Sequence, residues 1–342
     1  MLSSQSHKGS IPWLRFAQIG FTLVLVAVLM RSIDWPSFWG SLVNLRWHYI
    51  ALSVVLLAGS HSLNVMRWRV LLGPGALAFG TAMAYYGAGL FSNNFLPTGV
   101  GGDGVRAALA GRHFPWPRAL ASVALDRLIG LAGLSFFLVP GLWLGLPDSV
   151  VERLALRELS SAGIWALAAI GGVLVLAVGV GFFWRQTPWL SGAVTRAWNL
   201  LGPALPTNGG RLGWLRPALA GYALSVVSIA ALVAAYWAVL VGLQAGASWG
   251  AVIWVVIISS LSLMLPLSIN GLGVMETVFV VVLGGYGVLA PMALAAALLV
   301  RGLGIAFSLL GGLISLGVSW SPDVPRDELT ARHSGRGADQ AP

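Results

Sequence analysis

Six ionisable side chains lie inside stretches that are otherwise apolar: Arg106, Arg127, Arg301, Asp103, Asp126 and Glu276. At the centre of a membrane helix such a group costs on the order of 2.5–3.5 kcal/mol on insertion scales, so a functional site is its first reading. Three cations against three acids leave no net charge until a ligand or a proton shifts the balance. Such a set can hold a charged lipid headgroup or line an ion pathway. The plainer alternative is a set of internal ion pairs that locks helices together. Asp103 and Arg106 are three residues apart and can share one helix face. Glu276 opens a helix, where an acid complements the positive end of the dipole.

A second group of candidates is neutral. Asn93, Asn94, Thr98 and Asn270 cluster at two Pro- and Gly-rich interruptions of apolar sequence. A helix that begins after such an interruption presents free N–H groups and partial positive charge, which suits phosphate. The same side chains could instead cap the broken backbone. Gly99-Val-Gly-Gly-Asp-Gly104 fits the spacing of a dinucleotide-binding turn, yet no strand precedes it. The histidines, at 7, 48, 61, 113 and 333, show no ligand spacing; His61 reads as a helix-packing residue, with a proton relay as its sharper alternative. Cysteine is absent, which excludes a disulfide framework and a thiol nucleophile. No GxSxG turn or Asp-rich metal motif occurs, so the sequence calls for no catalytic residue, metal or cofactor.

The elements that hold these residues must be membrane helices. The chain has 342 residues, 57% hydrophobic and 9% charged, with a mean hydropathy of +0.84. A soluble domain carries about 25% charged residues. A crossing of about 30 Å needs roughly 20 apolar residues. Eight segments qualify by hydropathy, at about 14–30, 48–72, 77–96, 118–146, 162–184, 217–242, 249–268 and 288–318, with a shorter apolar piece at 272–286. Residues 35–47, with Trp35, Trp39 and Trp47, read as interfacial. A basic region with Lys8 and Arg15 precedes the first segment, and Arg31 to Pro36 follows it without a small-residue cleavage site, so an uncleaved first span is expected.

The sequence also repeats itself. Leu96-Pro-Thr-Gly-Val-Gly-Gly-Asp-Gly-Val105 aligns without gaps on Leu265-Pro-Leu-Ser-Ile-Asn-Gly-Leu-Gly-Val274. Arg127-Leu-Ile-Gly130 is echoed by Arg301-Gly-Leu-Gly304 at similar distances. If 77–113 and 249–287 are re-entrant hairpins, six full spans remain, at 14–30, 48–66, 118–146, 162–184, 217–242 and 288–318. With the N-terminus inside, thirteen basic residues, Arg67 and Arg69 among them, then fall on the inner side and four on the outer. The expected architecture is therefore all-α and polytopic. It is one transmembrane domain over 1–320, with inverted repeats at about 48–146 and 217–318, and a disordered cytoplasmic tail at 321–342. Both termini are expected to be cytoplasmic in a multi-pass cell-membrane protein. Inverted repeats place broken helices and the substrate near the midplane, and irregular backbone there needs protein or a water-filled cavity around it.

The motifs also resemble a known family. Asn94-Phe-Leu-Pro-Thr-Gly-Val-Gly-Gly-Asp-Gly-Val-Arg-Ala107, the Asp126-Arg127 pair and Leu265 to Glu276 are similar to the motifs of the flippase-like transmembrane region of lysylphosphatidylglycerol synthases. The resemblance runs from about residue 12 to 320 and implies a stand-alone member, without the cytosolic synthase domain. It implies translocation or binding of an anionic or polyprenyl-phosphate-linked lipid, and no enzymatic activity. The partners it implies are membrane lipids and, in a second reading, a lipid-modifying enzyme or glycosyltransferase for which the chain is a non-transporting scaffold. No nucleic acid is expected. Arg106, Arg127, Arg301, Asn94, Thr98 and Asn270 are expected at the headgroup. Asp103, Asp126 and Glu276 are expected to form the charge network or to couple protons.

Overall fold

The computed structural model describes residues 34–73, 75–95, 101–145, 215–264 and 268–317, with positions 20, 27, 31 and 147 besides. The described residues form helices and connections, with no strand among them. Helix α1 spans Trp35–Val43, α2 Trp47–Leu72, α3 Phe79–Asn93, α4 Gly101–Ala110, α5 Trp116–Phe136 and α6 Leu138–Trp143. After them come α7 Leu215–Gly242, α8 Trp249–Met264, α9 Val274–Gly285 and α10 Ala290–Gly317. A short 3₁₀ turn, Ile269–Gly271, lies between α8 and α9.

Four helical stretches are long and apolar enough to cross a membrane: Trp47–Leu72, Trp116–Leu144, Leu215–Gly242 and Ala290–Gly317. They match the expected segments at 48–72, 118–146, 217–242 and 288–318 to within two residues at most ends, because long uncharged runs fix helix length directly. The break between α5 and α6 falls at Phe137, three residues before Pro140, whose missing N–H leaves the Phe136 carbonyl without its helical partner. The remaining helices are shorter. α3 has 15 residues, α4 10, α8 16 and α9 12, so each rises about 15–24 Å at 1.5 Å per residue and falls short of the hydrocarbon thickness. The expected spans at 14–30 and 162–184, Thr98 and the tail at 321–342 lie outside the described residues.

The long helices α2 and α7 run antiparallel along their lengths. Arg46 N–H donates to the Gly242 carbonyl at 3.0 Å at one end, and a Cβ on Gly221 would meet Leu71 at the other. At mid-length Ser60 Oγ donates to the Ser228 carbonyl at 3.0 Å and Ser228 Oγ donates to the Ser60 carbonyl at 3.2 Å. The two bonds run in opposite senses between the helices. Among the described residues the buried apolar side chains form two clusters, the larger of which also takes in Ile50 of α2 and Leu134 of α5. One is built on Val65, Trp68, Leu72, Ala107 and Val123 around α3 and α4; the larger one is built on α7 to α10 around Phe279 and Leu283.

Glycine allows the closest contacts. A Cβ on Gly102 would lie 2.0 Å from the Gly89 carbonyl oxygen, and one on Gly87 would lie 2.6 Å from Gly311 Cα. The first contact presses α4 onto α3, and the second presses α3 onto α10. The connections gather at two ends. Arg69, Arg112 and Arg118 stand at the end where α2 finishes and α5 begins; Arg69 Nε donates to the Leu77 carbonyl and Arg118 Nε to the Leu72 carbonyl, both at 2.8 Å. At the opposite end Trp39, Trp47, Trp143 and Trp249 are exposed, as in an interfacial aromatic belt. Helix α1 packs there on α10, with Phe38 and Ser41 buried while Trp39 and Val43 face outward.

Candidate functional site

Two interruptions of helix build the site. The first follows α3, where Asn94 closes the helix and α4 restarts at Gly101. Asn93 Oδ1 accepts the Gly102 N–H at 2.7 Å, so the new helix begins with one of its free donors already satisfied by a side chain. The second lies between α8 and α9, where Asn270, Gly271 and Gly273 take positive φ of 49°, 67° and 81°. Glycine adopts that conformation without a Cβ penalty and Asn tolerates it, which is why a Ser-Ile-Asn-Gly-Leu-Gly run turns so sharply. The two interruptions touch: Asn270 Nδ2 donates to Asn94 Oδ1 at 2.9 Å, and Asn94 Nδ2 donates to Ser308 Oγ of α10.

Beside the first interruption five charged side chains form a chain of alternating sign. Arg67 Nε donates to Asp126 Oδ1 at 2.7 Å, and Arg106 donates to the other oxygen of Asp126 at 2.8 Å. Asp103 lies 4.0 Å from Arg106 and accepts from Arg127 Nε at 2.6 Å. Exposure rises along the chain. The side chains of Arg67, Asp126, Arg106 and Asp103 are 9%, 4%, 5% and 10% exposed, and that of Arg127 is 45% exposed. Arg67 also donates to Ser225 Oγ at 3.1 Å. The Arg106 guanidinium sits over the Trp68 ring at 4.5 Å and near Tyr86 at 5.3 Å, a desolvated arrangement in which the ring quadrupole supports the cation.

Asp126 lies ten residues into α5, about 15 Å along the helix and so near mid-depth. Burying these charges without partners would be prohibitive, and the alternation is what makes it tolerable. Among the described residues the cluster brings together three guanidinium groups and two carboxylates. It lines a cavity of about 370 Å³ whose walls come from α2, α3, α4, α5, α7 and α8 together with the second interruption. Asn93, Ser268 and Asn270 add polar lining to the charges, and Leu131, Leu134, Ile229 and Leu232 add apolar lining.

Glu276 and Arg301 form a second, separate group. Arg301 pairs with Glu276 and donates to the carbonyls of Asn270 at 3.1 Å and Gly271 at 2.8 Å. Glu276 Oε2 in turn accepts the Gly273 N–H at 2.8 Å. The pair therefore clamps the second turn from both its carbonyl and its amide sides. Of the sequence-derived residues, Asp103, Arg106, Asp126, Arg127 and Asn270 line the cavity, while Asn94 sits at the contact between the interruptions. Glu276 and Arg301 hold the turn next to it, and Thr98 lies outside the described residues. His61 packs between the Tyr86 and Phe307 rings.

The sequence reading missed Arg67. It was counted among inner-side loop charges, whereas it lies within α2 and is buried against Asp126. The available signal was Asp126 itself: a buried carboxylate with two oxygens can engage two arginines, and the neighbouring α2 offers one. Trp68, the platform under Arg106, gave no comparable sign. A family model described as the lysylphosphatidylglycerol synthase TM region matches residues 15–312. No curated protein matches the chain.

Proposed function

We propose, from the premise that this chain belongs to the lysylphosphatidylglycerol synthase transmembrane-region family, that it binds an anionic lipid headgroup at mid-depth and carries it across the membrane. The observation that carries the reading is the buried cluster of three arginines and two aspartates that lines a cavity between two helix interruptions. Guanidinium groups at that depth are costly and mark a place where an anion is well received. Arg127, the most exposed member, meets the headgroup first, with Arg106 behind it and Arg67 and Asp126 setting its position. Asn94 and Asn270 join the two interruptions at the cavity, and Arg301 with Glu276 keeps the second in shape. The reading assigns the chain no reaction and no cofactor.

The architecture that goes with this function is an inverted repeat of two helix–hairpin–helix units, 47–144 and 215–317, with α3–α4 and α8–α9 as re-entrant hairpins. The reciprocal Ser60–Ser228 bonds and the matched interruptions support it. The end that carries Arg69, Arg112 and Arg118 faces the cytoplasm of a cell membrane, with both termini on that side. Because the chain has no cysteine, single replacements can be labelled directly. Ala76→Cys and His113→Cys should both react only from the inside, and Gln244→Cys from the outside.

The function is tested by reconstituting the purified chain in liposomes with a fluorescent phosphatidylglycerol analogue and following its transbilayer movement by surface bleaching. The chain should accelerate movement, and Arg127→Gln should remove the acceleration. No acceleration by the unaltered chain would contradict transport and favour a lipid-holding scaffold.

A further inference from the structure

At the end that exposes Trp143 and Trp249, the first helix–hairpin–helix unit is tied to the second by its own backbone. α6 stops there, and the last carbonyls of a helix lack intrahelical donors. Gly145, at a φ of 79°, closes the helix. Its N–H, which would serve the Gly141 carbonyl in a continuing helix, turns to the Leu142 carbonyl at 3.1 Å. Side chains of the second hairpin meet the carbonyls instead. Trp254 Nε1 of α8 donates to the Gly141 carbonyl at 3.0 Å, and the Tyr286 hydroxyl, just after α9, donates to the Gly145 carbonyl.

The contact is close as well as polar. A Cβ on Gly250 would lie 3.2 Å from Leu144 Cβ, and one on Gly141 would lie 3.3 Å from Ile253 Cγ2. The cavity begins deeper, with Leu131 and Leu134 of α5 and Ser260, Leu263 and Met264 of α8 in its walls. Gly141 lies two turns beyond Leu134, and Trp254 lies nearly two turns before Ser260, about 10 Å along each helix. α5–α6 and α8 therefore meet at this contact and enclose the cavity below it. Between the two, the chain passes the break ahead of Pro140, where a missing hydrogen bond lets a helix bend.

We propose that this contact is a latch. It seals the cavity toward the tryptophan-bearing end, and α6 swings about the Phe137–Pro140 break to open it. The inference rests on the transport reading, since a site at mid-depth that delivers lipid to both leaflets must open toward each. The position suits release. The side chains of Trp143 and Leu144 are exposed, so the carbonyls that opening sets free lie at the membrane boundary, where water can meet them. The Asn94–Asn270 bond at mid-depth has no such exchange partner, because unsatisfied polar groups are costly in hydrocarbon. Two hydrogen bonds and a glycine contact hold the latch shut, a small barrier of the kind that lids cross during turnover.

The test uses the full chain, which has no cysteine of its own. Leu144→Cys with Gly250→Cys brings two Cβ atoms near disulfide separation. Reconstituted with the fluorescent phosphatidylglycerol analogue, the reduced double variant should move lipid. Oxidation with copper phenanthroline should slow it about tenfold or more, and dithiothreitol should restore it, while each single variant ignores the oxidant. An oxidised double variant as fast as its reduced form overturns the latch. A second readout needs no transport. Ser260→Cys on the cavity wall is labelled by a membrane-impermeant maleimide in vesicles whose tryptophan-bearing end faces outward. Tyr286→Phe, which deletes one oxygen of the latch, should speed that labelling about threefold or more. An unchanged labelling rate overturns the seal. A chain that moves no lipid yet shows the labelling difference fails the transport reading alone. One that moves lipid but answers neither oxidation nor Tyr286→Phe fails this inference alone.

Discussion

The two helix interruptions come from closely similar sequence, yet they are held in opposite ways. At the first, a carboxylate on α5 gathers arginines from α2 and α4, and a third arginine pairs with Asp103 of α4. At the second, a single arginine is consumed by one glutamate and two backbone carbonyls. The matched positions explain the difference. Arg127 and Arg301 occupy equivalent places, but Asp126 precedes the first and Val300 the second. One extra carboxylate in α5 recruits Arg67 and Arg106. Without it, the second site closes on its own turn and stays neutral.

The comparison breaks most severely at Asp126. Asp126→Ala strands two buried guanidinium groups, Arg67 and Arg106, and should destabilise the chain by about 3–5 kcal/mol. Denaturation in detergent would record that as lost cooperativity or a large fall in midpoint, and an unchanged midpoint would deny the cluster its structural role. Glu276→Gln should cost less, roughly 2–3 kcal/mol, since Arg301 keeps the Asn270 and Gly271 carbonyls. Its lipid affinity should remain near that of the unaltered chain, which separates the clamp from the ligand site. The smallest effect is expected at the Ser60–Ser228 contact. Ser60→Ala removes one bond of the reciprocal pair and should lower stability by about 1 kcal/mol; Ser228→Ala should match it, and two unequal losses would argue against a symmetric contact.

Much of this was legible before any coordinates. The long helices follow from uncharged runs, and the interruptions from Pro and Gly set among apolar residues. Asp103, Arg106, Asp126 and Arg127 stood out because their burial in a membrane demands a reason. What could not be read was partnership. Arg67 lies five residues before the end of α2, and from sequence that position resembles any interfacial arginine until Asp126 is seen beside it. Ser268 is an uncharged residue in an irregular turn, and only a cavity wall gives its hydroxyl meaning. Counting three cations against three acids left out Arg67, which the packed chain adds to the first group.

The central claim is that the first group holds a lipid and the second holds the fold. Mass spectrometry of the lipids retained by the purified chain, by Arg127→Gln and by Arg301→Gln tests it most directly. The unaltered chain should retain one phosphate-bearing lipid beyond its share of the membrane. Arg127→Gln should lose that enrichment about tenfold, and Arg301→Gln should keep it while unfolding at lower temperature. Loss of the lipid from Arg301→Gln with its retention by Arg127→Gln would contradict the account.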